Sequence, residues 1–114
     1  MSSETLKQLE QEIDNAKQIV ELSNALQRLS GNKDFKEVIQ QNYFKDEAVR
    51  LVHLKSNPAM QEEEQQKSIV ASIDAIGFLS QYFNIIEQQA RQARRFLDMA
   101  DETRDELLAE EAGQ

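Results

Sequence analysis

Apolar residues recur along most of the chain at the three- and four-residue steps of an α-helix. The first stripe contains Leu6, Leu9, Ile13, Ala16 and Val20, and after a one-residue shift it continues as Ile19, Leu22, Leu26 and Leu29. Such steps place residues on one face of a helix, and the shift lets the helix contact two neighbours. The pattern predicts a first helix over residues 4–29, with Ser3 as its N-cap.

A turn signal separates this helix from a middle segment. Gly31 can adopt the left-handed backbone that closes a helix, and Asn32 suits the N-cap of the next one. Residues 33–55 predict two short helices, with a break near residues 42–44. Because this segment holds three of the seven aromatic residues, we expect it to pack as a small cluster.

A long helix is predicted from residue 58 to residue 108. Asn57 suits its N-cap and Pro58 its first position, and three glutamates at residues 62–64 lie near the positive end of its dipole. From Ile69 onward, ten of twelve heptad positions are apolar, as in a coiled coil that pairs with another helix. The predicted helix-association seam consists of Ile69, Ile76, Leu79, Phe83, Ile86, Ala90, Ala93 and Leu97.

Together these elements predict an all-α fold, an elongated helical hairpin or coiled coil with a short-helix middle segment and a long C-terminal helix. Only three Gly and one Pro interrupt the 114 residues, too few for a chain of many strands. A single helical domain is expected over residues 1–108, followed by a disordered acidic tail at 109–114. The seam predicts a homo-oligomer, but heptads leave open its helix orientation and whether the first helix folds back on the long one.

The charge of the chain argues against two classes of partner. Its formal net charge is −8, which repels nucleic-acid phosphates and anionic lipid headgroups. No stretch approaches the roughly 18 apolar residues that are needed to cross a bilayer, and the N-terminus lacks the pattern of a signal sequence. We therefore expect a soluble, unexported protein that binds neither nucleic acid nor membrane directly.

Few residues offer chemistry. The chain has no cysteine, and its one histidine, His53, has no metal-ligand partner at helical spacing. No glycine-rich phosphate loop occurs, and Gly77 inside the long helix is better explained by a closely packed neighbour than by a bend. The carboxylates lie on solvated helix faces, without the converging groups of a catalytic pocket. We predict a protein that is not an enzyme and has no cofactor or metal.

Two clusters of side chains are candidates for partner contact. Arg91, Arg94 and Arg95 are spaced to bind a carboxylate-rich partner or a phosphate, although Glu87 and Asp98 lie one turn away, as in ordinary intrahelical ion pairs. The second cluster is aromatic and is predicted to fill the core between the middle segment and the long helix rather than an exposed patch. Its members are Tyr43, Phe44, Phe78, Tyr82 and Phe83.

Two stretches, DFKEVIQQNYFKDEAVRLVHLKSNPAM at 34–60 and IDAIGFLSQYF at 73–83, resemble small helical proteins encoded in the virion and assembly modules of tailed bacteriophages. The resemblance covers about half of the chain and rests on packing motifs. It implies a virion structural or assembly component, such as a scaffold, chaperone or neck protein, made in the host cytoplasm and binding other virion or host proteins. A phage-encoded inhibitor or adaptor that binds a host enzyme through its acidic helical surface is the alternative.

Overall fold

The computed structural model describes residues 2–113, which form an all-α fold. In chain order the elements are α1 (Ser2–Ser30), α2 (Lys33–Phe35), a π-helical segment (Lys36–Glu47), α3 (Ala48–Ser56), a 3₁₀ turn (Pro58–Met60) and α4 (Glu63–Ala112). No strand occurs within residues 2–113. The all-α class, the long C-terminal helix and the shorter helical middle segment are confirmed.

The contacts of the chain group into two compact units, whereas the sequence predicts one domain over residues 1–108. Unit 1 combines Met1–Ala25 with Ile85–Gln114, and unit 2 comprises Leu26–Asn84. The continuous α4 supplies residues to both units. Each unit has its own small group of buried side chains.

Unit 1 is an antiparallel pair of helices. Arg104 of α4 approaches Glu10 near the start of α1 at 3.9 Å, while Ser23 further along α1 donates a hydrogen bond of 3.1 Å to Glu87 of α4. Residue numbers therefore rise along one helix as they fall along the other, and the first helix folds back on the long one. The buried apolar side chains of this unit are Ile13, Ala16, Ile86, Ala90, Ala93 and Ala100.

Unit 2 packs the middle of the chain against the first part of α4. Its core is formed by Leu51 of α3 with Ile69 and Ile76 of α4. The partly buried side chains around this core are Tyr43, Phe44, Ala48, Leu54, Met60 and Ile73. The predicted packing of residues 33–55 into a small cluster is thus observed, with α4 as the surface on which they pack.

The middle of the chain is one helix, although the sequence predicted a break near residues 42–44. The helical backbone runs without a gap from Lys33 to Ser56, and the twelve residues Lys36–Glu47 have the i→i+5 hydrogen bonding of a π-helix. No Gly or Pro lies in this stretch to end it. The π-helical winding changes which residues share a face of the helix. The α-helical spacing of the apolar residues is therefore interrupted near residues 42–44, although the helix continues through them.

The two asparagine caps are confirmed. The Oδ1 atom of Asn32 accepts hydrogen bonds from the backbone N–H groups of Asp34 and Phe35, at 2.9 and 3.1 Å. Asn57 accepts in the same way from Ala59 at 2.9 Å, and Pro58 is the first residue of the turn that follows. That turn is 3₁₀, however, and α4 begins only at Glu63.

Other predicted helix ends differ from the structure. Ser3 lies inside α1 and not at its N-cap, since α1 already includes Ser2. Gly31 ends α1 without a positive φ, and its N–H donates to the carbonyl oxygens of Gln27 and Arg28 at 3.1 and 3.2 Å. α4 continues to Ala112, so residues 109–112 of the expected disordered tail are helical. This short stretch contains only Ala and Glu, which are good helix formers.

Gly77 has open space around it, so the prediction of a closely packed neighbour is wrong. A Cβ atom built on Gly77 meets no atom within 4 Å. Glycine inside an exposed helix costs about 1 kcal/mol relative to alanine, because it loses more backbone freedom on folding. Gly77→Ala should therefore raise the free energy of unfolding by about 1 kcal/mol, as measured by urea denaturation.

The control for this substitution is the reverse change nearby. Ala75 is an exposed residue of the same helix, and Ala75→Gly should lower the free energy of unfolding by about 1 kcal/mol. A Gly77→Ala variant less stable than the unmodified chain would show that Gly77 has a structural role beyond its cost to the helix.

Candidate interaction surfaces

The predicted association seam is covered by helices of the same chain. In unit 2, Ile69 and Ile76 are buried together with Leu51. In unit 1, Ile86, Ala90 and Ala93 are buried, in a pair whose other helix is α1. The remaining seam residues, Leu79, Phe83 and Leu97, are half-buried. The seam residues are therefore the inner side of α4, and a second chain would have to approach other surfaces.

A buried polar cluster joins the two helices of unit 1. Ser23 is fully buried, and its Oγ donates to Oε1 of Glu87 while it accepts a long contact of 3.5 Å from Nη2 of Arg94. The same guanidinium nitrogen lies 3.4 Å from Oδ1 of Asn24. Arg94 is thus held by α1, and the sequence prediction of an ion pair with Asp98 is not observed.

The three predicted arginines therefore have different environments. Arg94 is partly buried against α1, whereas Arg91 and Arg95 are exposed. Neither of these two forms an ion pair within the part of the chain that the structure describes, and the expected Glu87–Arg91 pair is replaced by the bond from Ser23 to Glu87. Arg91 and Arg95 remain available to another molecule.

Exposed charges of opposite sign lie along one face of α4 in unit 1. We call this face the charged edge; it consists of Arg91, Arg95, Met99, Glu102 and Glu106. Steps of four, four, three and four residues keep these side chains on one side of a helix. All five are exposed, and Met99 is 70% exposed. No ion pair within residues 2–113 involves Glu102 or Glu106, so both cations and both carboxylates of the edge face solvent.

A second exposed surface, the aromatic face, lies on α4 in unit 2. It consists of Phe78 and Tyr82, which are 66% and 53% exposed and one turn apart, with Ala71 and Ala75 on the preceding turns. The sequence placed both rings in a core, and for these two the prediction is wrong. The other rings do pack: the centroid of Phe44 lies 6.0 Å from that of Phe83.

The middle helix adds further exposed apolar side chains to unit 2. Val38, Val49 and Val52 are each more than half exposed. Val49 and Val52 are three residues apart in α3 and therefore lie on one side of it. Scattered apolar residues are common on protein surfaces, so the exposure of these valines does not by itself indicate a binding surface.

One segment of α4 also satisfies the length and composition of a membrane span. An 18-residue window of this helix is apolar enough to cross a bilayer, and 17% of the window is buried. This finding differs from the sequence prediction that no stretch approaches a membrane span, because the apolar residues of the window are interspersed with polar ones. Between Lys67 and Glu87 the only charged residue is Asp74. By itself this composition is also typical of the core helix of a soluble protein.

His53 is exposed. In residues 2–113, no group of three or more His, Cys, Asp or Glu side chains could hold a metal ion.

Comparison with known protein families, curated proteins and solved structures found no match to this chain. The likeness to helical phage proteins therefore stays a prediction from residues 34–60 and 73–83.

Proposed function

We propose that this chain is a non-enzymatic association protein, which forms a homo-oligomer through helix faces and contributes it to a larger protein assembly. The observation that carries the proposal is the exposed aromatic face of unit 2. Contiguous exposed apolar side chains often mark a surface that binds another protein. Burying one such side chain contributes about 1.5–3 kcal/mol, and aromatic residues are enriched in protein interfaces.

The small cores of the two units support the same proposal. Among the described residues only ten apolar side chains and Ser23 are buried, and four of the ten are alanines. Alanine contributes little apolar area, so neither unit has the buried area of a typical compact domain. Small domains with limited cores commonly gain stability by oligomerisation.

The biological role of this oligomer is proposed from the sequence. The likeness of residues 34–60 and 73–83 to small phage proteins supports a virion structural or assembly component, made in the host cytoplasm and able to remain with the virion. Because the seam predicted for self-association is covered by the chain's own helices, the oligomer proposed here uses the outer faces of α4.

A second candidate is the inhibitor or adaptor that binds a host enzyme. Seven acidic residues and one arginine follow from Asp98 onward, and α4 keeps residues 98–112 helical. Fixed carboxylates on a helix can match a basic protein surface better than those of a flexible tail, because less conformational freedom is lost on binding. This candidate predicts salt-sensitive binding of a basic host protein.

The aromatic face can be tested by its effect on the mass of the protein in solution. The unmodified chain should be a multimer by size-exclusion chromatography with light scattering, and Phe78→Gln/Tyr82→Gln should have a smaller mass with the same helical content. Phe78 and Tyr82 lie outside the core of Leu51, Ile69 and Ile76, and the ring contact that is lost is that of Tyr82 with the half-buried Phe83, at a centroid distance of 6.2 Å, so folding should be preserved. The matched control is Val49→Gln/Val52→Gln, which removes two exposed valines and should leave the mass unchanged.

Two results would overturn the proposal. A monomer at every accessible concentration would show that the chain does not self-associate. A monomer that binds neutral phosphatidylcholine vesicles, and loses this binding in the double glutamine variant, would assign the aromatic face to lipid. Asp74 on the preceding turn argues for protein, because a carboxylate is costly to place in hydrocarbon.

A further inference from the structure

The charged edge of unit 1 is complementary to itself when its direction is reversed. Along α4 the two cations, Arg91 and Arg95, come first, and the two carboxylates, Glu102 and Glu106, come last. In an antiparallel pairing with a second copy, the register that places Arg95 opposite Glu102 also places Arg91 opposite Glu106. One register therefore satisfies both pairs, and twofold symmetry makes each pair twice.

None of the four charged side chains that would make this contact forms an ion pair within residues 2–113. Of the four arginines in the second half of α4, Arg94 contacts Ser23 and Asn24, and Arg104 approaches Glu10. The other two, Arg91 and Arg95, form no ion pair in the described part of the chain. Two of these four arginines therefore contact α1, and the two on the charged edge can contact another molecule.

An apolar side chain lies where the symmetry axis would pass. In the register described above, the axis runs between residues 98 and 99, so that Met99 and the exposed Asp98 both lie beside it. Met99 is 70% exposed, and an unbranched thioether adapts readily to an irregular contact. Exposed ion pairs are individually weak, so the charges would set register and orientation while Met99 supplies apolar contact.

From this arrangement we infer that two copies of the chain bind each other antiparallel along the charged edge of α4. The inference rests on the proposed self-association and names one contact that produces it. A parallel pair is disfavoured, because it would place Arg91 opposite Arg91 and Glu106 opposite Glu106. Since the aromatic face belongs to unit 2, the chain would have separate surfaces for more than one contact.

Charge reversal tests the contact directly. Arg91→Glu/Arg95→Glu makes the whole edge acidic, and Glu102→Arg/Glu106→Arg makes it basic. Either double variant should weaken self-association at least tenfold in sedimentation equilibrium at low salt. The quadruple variant, which exchanges the two signs, should restore it, and an equimolar mixture of the two double variants should form a mixed complex. Lys7→Glu/Lys17→Glu, with the same change in net charge on exposed positions of α1, should have no comparable effect.

Orientation is tested by cross-linking, which the absence of native cysteine makes simple. Met99→Cys places two thiols beside the axis and should be joined by a short bis-maleimide. Ala109→Cys lies on the same side of α4, but in an antiparallel pair its two copies would be about 30 Å apart, at about 1.5 Å per residue. Equal cross-linking at both positions would indicate a parallel pair and overturn the inference.

The failure of this contact can be told apart from the failure of the proposed function. If the unmodified chain is monomeric throughout, self-association itself is excluded. If it is multimeric and every charge variant keeps the same mass, self-association stands and the charged edge is not its contact. Restoration by the quadruple variant excludes misfolding as the cause of a loss in the doubles.

Discussion

Ile86→Asp should unfold unit 1, while the same substitution at the neighbouring Ile85 should leave it folded. Ile86 is 5% exposed and Ile85 is 47% exposed. An aspartate at residue 86 would bring a carboxylate to a buried position of unit 1, where four of the other five buried apolar side chains are alanines. Burying an unpaired charge is among the largest single-residue effects, and we expect a loss of more than about 3 kcal/mol of unfolding free energy. Circular dichroism during urea denaturation measures it.

The pair of variants also decides between two roles for the seam. If Ile86 lay between chains, Ile86→Asp would lower the solution mass and leave the helical content of the monomer unchanged. If it lies inside unit 1, helical content and stability fall together, and Ile85→Asp changes stability by less than about 0.5 kcal/mol. A folded but dissociated Ile86→Asp variant would therefore contradict the structure.

The seam shows what the heptad pattern of a single sequence can establish. The periodicity identified the inner side of α4 correctly, because buried residues must share one face of the helix. It could not identify the neighbour, since a helix of the same chain and a helix of another chain require the same spacing. Only the antiparallel contacts, such as Arg104 with Glu10, reveal that α1 covers the second half of the seam.

Local signals near the helix ends were more decisive than periodicity in the middle of the chain. Asn32 and Asn57 cap as predicted, because their short side chains bond to amides two or three residues ahead. The π-helical winding of Lys36–Glu47 has no comparable signal, since no residue type requires it. α-Helical spacing was therefore misleading at Tyr43 and Phe44, which are adjacent in sequence and both pack on the core.

The candidate surfaces were predictable in part. The spacing of Arg91, Arg94 and Arg95 put them near one another on α4, but only the structure shows that Ser23 and Asn24 contact Arg94. The charged edge was visible in sequence as two arginines followed by two glutamates at helical steps. The sequence could not show that these four side chains form no ion pair within residues 2–113. Phe78 and Tyr82 were assigned to the core because aromatic residues usually are.

The middle helix provides the second large expected effect, through Leu51. This side chain is 4% exposed and packs with Ile69 and Ile76 in the core of unit 2. Leu51→Ala should lower the free energy of unfolding by about 2–5 kcal/mol, because the lost apolar contact leaves a cavity that the surroundings only partly fill. Val52 is adjacent in sequence but 58% exposed, so Val52→Ala is the matched control and should change stability by less than about 0.5 kcal/mol.

This comparison tests whether the middle helix covers α4 in solution. If Leu51→Ala and Val52→Ala have equal stabilities in urea denaturation, α3 does not pack on α4 as the structure has it. Ile69 and Ile76 would then be open to a second chain, and the first half of the seam would return as a surface for association. A large difference between the two variants instead leaves the outer faces of α4 as the surfaces through which copies of this chain can meet.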